Sequence, residues 1–145
     1  MKIELQIDEK YDERKVIIQA KEIDEEIKAL IEKISPKKES LKVSLDDDTY
    51  ILKEDEIESV YTENGKVYVK TPTKTYLSKK RLYEYEEILS KDKFVRISNS
   101  EIVNFDEVRN FNTKFLNTIC INFYSGYQTY VSRRYIKRIK EFLNI

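Results

Sequence analysis

The chain reads as mostly β, α+β overall, and three observations carry that reading. From residue 41 onward, short apolar segments alternate with polar residues at close spacing, the pattern of half-buried strands. Asn64-Gly65 falls between two such segments, and both residues tolerate the positive φ that a type I′ hairpin turn requires. Apolar residues recur at helical spacing in only three places, near 23–34, 79–90 and 133–143.

The elements follow in order. Ile3, Leu5 and Ile7 alternate with polar neighbours and predict a strand; Val16-Ile17-Ile18 predicts a second after a charged loop. Ile23, Ile27, Leu30, Ile31 and Ile34 predict an amphipathic helix that Pro36 ends. This β-β-α extension leads into the linker Pro36-Lys37-Lys38-Glu39-Ser40, so the chain divides into 1–40 and 41–145. The apolar stripe of this helix is expected to pack on its own two strands; because so small a unit buries little by itself, the alternative is a partner or dimer surface, which suits association or regulation. Leu41, Val43 and Leu45 alternate, Asp46-Asp47-Asp48 turns the chain, and Tyr50 and Leu52 return. Strands are expected at 57–61, 67–71 and 75–77, then a helix over 79–90 capped by Ser78, with Leu82, Tyr85 and Leu89 inward. Further strands are expected near 94–97, 101–104, 108–112, 118–123 and 127–131, the last two joined through Ser125-Gly126. A basic helix closes the chain, with Ser132 as its expected cap.

Composition excludes several chemistries. With no His, there is no His base, triad or His metal ligand; one Cys rules out a disulfide framework or a Cys-rich zinc site. Two Gly make a phosphate-cradling loop untenable. The three adjacent Asp residues cannot converge on one ion, because strand side chains alternate faces. Neither a cofactor, a metal site nor an enzymatic activity is expected. No apolar run approaches the roughly 20 residues of a membrane span, and the N-terminus lacks a signal core, so a cytoplasmic location is expected. The Lys/Ile/Asn/Tyr-rich composition matches AT-rich bacterial genomes, by association only.

The charges cancel at 27 basic and 27 acidic residues, but not locally. Residues 1–41 carry 9 and 11, residues 42–90 carry 8 and 11, and residues 91–145 carry 10 and 5, giving −2, −3 and +5. The C-terminal third holds the field a polyanion would feel, concentrated in Arg133-Arg134-Tyr135-Ile136-Lys137-Arg138-Ile139-Lys140. A solvated helix face is the plainer reading of that run. Two segments stand out. In FVRISNSEIVNF, Phe94 to Phe105, the polar run Ser98-Asn99-Ser100 separates two strands, and an Asn there can bond an adenine edge twice. In YVSRRYIKRIKEFL, Tyr130 to Leu143, two arginines in a first helical turn oppose the helix dipole unless an anion is near.

Together these segments resemble the LytTR DNA-binding domain, the output domain of LytR/AgrA-type response regulators. Phe94, Arg96, Ser100, Val103 and Asn104 match its F-x-R-x-H-x-S-x-x-V-N pattern; Val131, Ser132, Arg133, Arg134 and Tyr135 match its V-S-R-R-Y corner. The resemblance covers about 41–145. Ser98 stands where the family often has His, and Glu101 where it often has an aromatic; both bear on base preference. The resemblance implies an elongated stack of small antiparallel sheets that contacts duplex DNA through inter-strand loops. The implied DNA-binding residues are Asn64 and Lys66 of the first hairpin, then Arg96, Ser98 and Asn99. Ser132, Arg133, Arg134 and Lys137 of the closing corner complete the set. About forty residues cannot hold a receiver domain, so the chain looks like a stand-alone regulator. Relatives of that sort imply a homodimer or paired monomers on promoter repeats, and a small membrane protein as restraint. The competing reading is an interaction module whose basic terminal helix docks on an acidic protein or membrane surface.

Overall fold

The computed structural model describes residues 1–35, 40–113 and 118–145, so all of the expected linker except Ser40 lies outside the described residues. The chain forms two compact units, residues 1–37 and 38–145.

In the first unit one regular element forms, α1 (Glu25–Ile34). Asp24 caps it, its carboxylate accepting from the Ile27 amide at 2.9 Å, and Glu25 and Glu26 sit in the first turn where the helix dipole favours them. The two expected strands, around Ile3–Ile7 and Val16–Ile18, do not form. Alternation marks which face of a strand would be buried, but a strand exists only when another pairs with it, and neither segment has a partner here. No residue from 1 to 35 is buried; Ile18, Ile27 and Leu30 are half-buried at most.

Among the described residues the second unit holds ten strands and two α-helices: β1 (Leu41–Leu45), β2 (Asp48–Leu52), β3 (Ser59–Glu63), β4 (Lys66–Lys70), β5 (Thr75–Ser78), α2 (Leu82–Ile88), β6 (Phe94–Ser98), β7 (Glu101–Asn104), β8 (Val108–Asn112), β9 (Ile119–Phe123), β10 (Gln128–Val131) and α3 (Ile136–Leu143). All pairings are antiparallel. They build a seven-stranded sheet in the order β2-β1-β5-β4-β3-β7-β6 and a three-stranded sheet β10-β9-β8.

The β6–β7 hairpin belongs to two cores at once. Phe94 and Ile102 face Val60, Val69, Leu82 and Tyr85 in the first core. Val95, Ile97 and Val103, on the opposite face, join Ile119, Ile121, Val131 and Ile139 in the second. This double burial explains why FVRI and IV are near-continuous apolar runs. Two buried carboxylates tie the sheets together. Glu101 accepts from Ser59 Oγ and Thr129 Oγ1 at 2.6 Å and from the Tyr127 hydroxyl at 2.7 Å. Glu58, fully buried, pairs with Lys70 at 2.6 Å and accepts from Ser125. Such groups persist inside a protein because each carboxylate oxygen finds a donor. Burial, then the Glu101 charge, holds the Tyr127 phenol far above its ordinary range, so it stays a donor.

Both expected serine caps are corrected. Ser78 remains in β5 and its hydroxyl lies 2.6 Å from the buried Tyr85 hydroxyl. The helix starts at Leu82, where the Glu84 carboxylate accepts from the Arg81 amide. Ser132 makes no side-chain cap; a 3-10 turn over Arg133–Tyr135 precedes α3, and the Ser132 carbonyl accepts from the Tyr135 amide. The Asp46-Asp47 segment is a turn, with Asp46 at φ 54.

Candidate nucleic-acid interface

The register of β3 against β7 determines where the polar loops fall. Tyr61 pairs with Glu101, and the Thr62 amide donates to the Ser100 carbonyl at 2.8 Å. The tip of the β3–β4 hairpin and the tip of β6–β7 therefore emerge at the same end of the sheet. The third segment joins them from the other core: the Ser132 amide donates to the Ile97 carbonyl at 2.9 Å, and the Tyr135 hydroxyl donates to Asn99 Oδ1 at 3.0 Å. Loops separated by about seventy residues thus form one continuous edge.

At the first tip, Glu63 pairs with Lys66 across Asn64 and Gly65, whose φ values are 51 and 77, the type I′ geometry expected from Asn-Gly. Asn64, Gly65 and Lys66 are exposed. Behind the tip, Tyr61 and Tyr68 stack across the strands at 5.5 Å, the pleated-surface role that aromatics take in sheets. An open groove runs from this tip to the start of α2, with Arg81 and Arg96 in its wall.

The second tip is braced by side chains. Arg96 donates from Nε to the Ser98 carbonyl at 3.0 Å, from Nη2 to the Asn99 carbonyl at 2.6 Å, and from Nη1 to Glu86 at 2.6 Å. The guanidinium fork thus pins two successive carbonyls of the turn. Glu86 also receives Arg138 Nη2 at 3.1 Å. Partial burial pushes the Glu86 carboxyl up, but the hydrogen bond and charge of Arg96, joined by Arg138, more than offset this and hold it below the ordinary range. Ser98 is half-buried and its hydroxyl accepts from the Ser100 amide at 3.2 Å. Asn99 is exposed, its amide aimed by Tyr135.

At the third segment Arg133, Arg134 and Lys137 are exposed, and among the described residues none of them forms an ion pair.

Asn104, prominent in the motif, is not at this edge. It is buried, donating to the Ile57 carbonyl at 2.9 Å and accepting from the Asp106 amide at 3.0 Å, and so holds the corner after β7. Arg96 is at the edge, but its guanidinium supports the turn. From the sequence alone Glu86 had no role, and Tyr135 and Arg138 figured only in the V-S-R-R-Y match and the basic run. No spacing pattern reveals Glu86, because its partners lie 10 and 52 residues away. Cys120 is half-buried in β9, where Gln128 Nε2 donates to its sulfur at 3.0 Å.

These features define a class: an antiparallel β scaffold that presents polar inter-strand loops and uncompensated cations along one edge. The LytTr DNA-binding domain family matches residues 47–144, and the chain belongs to that family. An uncharacterized HTH-type transcriptional regulator of Staphylococcus aureus strain MSSA476 is 31% identical over 147 residues, covering 100% of this chain and 99% of its own. The transcriptional regulatory protein LytR of Staphylococcus aureus strain N315 is 29% identical over 70% of this chain and 42% of its own length. A solved LytTr DNA-binding domain, from a methyl-accepting/DNA response regulator of Bacillus cereus, shares the fold. Its TM-score is 0.70 at 23% identity, over 73% of this chain and 97% of that one. Among the described residues no two α-helices are consecutive in the chain, so the described fold contains no helix-turn-helix. No described helix is long and apolar enough to cross a membrane.

Proposed function

We propose that the chain is a sequence-specific regulator of transcription that binds double-stranded DNA and reads promoter repeats through its inter-strand loops. The observation that carries this reading is the convergence of three polar loops on one edge, beside three exposed cations that form no ion pair among the described residues. Asn99 and Arg134 have the chemistry to bond a base edge twice, whereas Asn64, Lys66, Ser98, Ser132, Arg133 and Lys137 suit phosphates and sugar. Arg96 acts one step back, by holding the Ser98-Asn99 turn. Membership of the family and the LytR-type relatives support the assignment.

The test is a titration of the purified chain against its own upstream DNA and a scrambled duplex at several salt concentrations. Neutralising about 4–6 phosphates gives a slope of log K against log salt of roughly −4 to −5. A flat salt response would sink duplex binding and favour an apolar partner surface; equal affinity for both duplexes would sink sequence-specific reading and favour docking of the basic helix on an acidic protein or membrane surface.

A further inference from the structure

The first unit carries its own unmet need. Ile3, Leu5 and Ile7 are 84%, 83% and 92% exposed, although they alternate as one face of a strand. From residue 1 to residue 8 the backbone has no turn, bend or helix, and the first turn comes at 9–10, where the Tyr11 amide donates to the Asp8 carbonyl at 3.2 Å. Lys2 and Glu4 form an ion pair at 3.2 Å, the i, i+2 neighbour relation of an extended chain. Residues 2–8 thus carry the alternation of a strand, with polar and apolar positions sorted, and among the described residues no strand pairs with them. The apolar stripe of α1 is only partly covered: Ile31 and Ile34 are 41% and 47% exposed.

We propose that the occupant of this strand edge is residues 2–8 of a second copy of the chain, paired antiparallel about a two-fold axis at Leu5. The charge pattern selects this register. With Leu5 opposite the partner's Leu5, Ile3 meets the partner's Ile7, Lys2 meets the partner's Asp8, and Glu4 meets the partner's Gln6. Every apolar residue finds an apolar partner and the only charges brought face to face are opposite. Moving two positions one way sets Glu4 against the partner's Glu4; moving two the other way sets it against the partner's Asp8. A shift by one places apolar residues opposite polar ones. A parallel in-register pair lines up Lys2, Glu4 and Asp8 each with its own copy. The antiparallel ribbon presents Ile3, Leu5 and Ile7 from both chains on one face, and the two α1 stripes supply the second layer that such a face needs. This inference goes beyond the DNA-binding reading and does not depend on it.

The test uses the full-length chain without DNA. Light scattering after gel filtration at tens of micromolar should give twice the 17.4 kDa of one chain. Leu5→Lys, which sets two ammonium groups together at the axis on an otherwise exposed site, should give a monomer that stays folded. Cysteine variants in a Cys120→Ser background then read the register. Paired Cα atoms in an antiparallel ribbon lie about 4.5–5.5 Å apart, within the reach of a disulfide. Leu5→Cys should cross-link to itself under mild oxidation. Ile3→Cys alone should not, because its two copies lie roughly 13 Å apart along the ribbon, but it should cross-link to Ile7→Cys when the two variants are mixed. A monomeric wild type overturns the proposal. So does a dimer in which Leu5→Cys fails to cross-link, or in which Ile3→Cys cross-links to itself as fast.

Discussion

The two hairpin tips at the shared end of the large sheet are built by different means. The β3–β4 tip is shaped by its own backbone, two residues at positive φ, with the side chains of Asn64 and Lys66 left to solvent. The β6–β7 tip is held by side chains from elsewhere: Arg96 on its carbonyls, Glu86 of α2 behind Arg96, and Tyr135 on the Asn99 amide. Turn chemistry alone aims a loop, whereas a clamp of charged and hydroxyl groups orients one side chain within it. Reading a base edge needs the second kind of control, because a bidentate bond depends on both position and direction. Meeting a phosphate needs only a donor or a charge nearby.

The largest expected effect tests this contrast directly. Asn99→Ala and Arg134→Ala should each cost about 1–3 kcal/mol on the preferred site and much less on random duplex. Equal losses on both duplexes would remove them from the base-reading set. Next comes Glu86→Gln, which touches no loop residue and weakens the brace behind Arg96. Discrimination between specific and random DNA should fall by a factor worth about 1 kcal/mol, while binding to random DNA holds or tightens as a negative charge is lost. Unchanged discrimination would make the brace merely structural. The same variant has a pH signature. Because the folded Glu86 carboxyl lies below its ordinary value of 4.5, its contribution to stability is complete above that value and disappears as pH falls through the lower, folded one. Acid unfolding curves of wild type and Glu86→Gln should therefore converge at the acid end and separate above it.

Smaller effects belong to the other tip and to the helix proposed to meet the DNA backbone. At Gly65, φ is 77 and an added Cβ meets nothing within 4 Å, so Gly65→Ala costs only backbone strain, up to about 1 kcal/mol of stability in denaturant titration. The ratio of specific to random binding should survive. A collapse of that ratio would mean that this tip also reads bases. Lys137→Ala should weaken all duplexes alike and reduce the salt slope by about 1; a selective loss on the preferred site would move Lys137 into the base-reading group.

Local physics made much of this molecule legible from residues alone. Asn64-Gly65 encodes a type I′ turn because both residues accept positive φ, and the structure has it. Leu82, Tyr85 and Leu89 declared the buried face of α2, and all three are buried. What local pattern could not supply was competition. Ser78 is a good cap by type, but Tyr85 competes for its hydroxyl, so the helix starts later. Ser132 is likewise a cap by type, but its amide is engaged by β6 and its carbonyl closes a 3-10 turn. Ile3, Leu5 and Ile7 have the alternation of a strand without a pairing partner in the unit that holds them.

The sequence by itself determined the strand inventory of residues 41–145, the hairpin at Asn64-Gly65, the basic C-terminal third and the absence of His chemistry. Each of these depends on composition or on neighbours within a few positions. Only the tertiary structure decided that the β6–β7 hairpin serves two cores, that the loops near residues 64, 99 and 133 share one edge, and that Glu86 braces Arg96. Those facts rest on sheet register and on contacts across tens of residues. A one-dimensional pattern carries no distance between such positions, and it is the packing of two cores on opposite faces of one hairpin that brings them together.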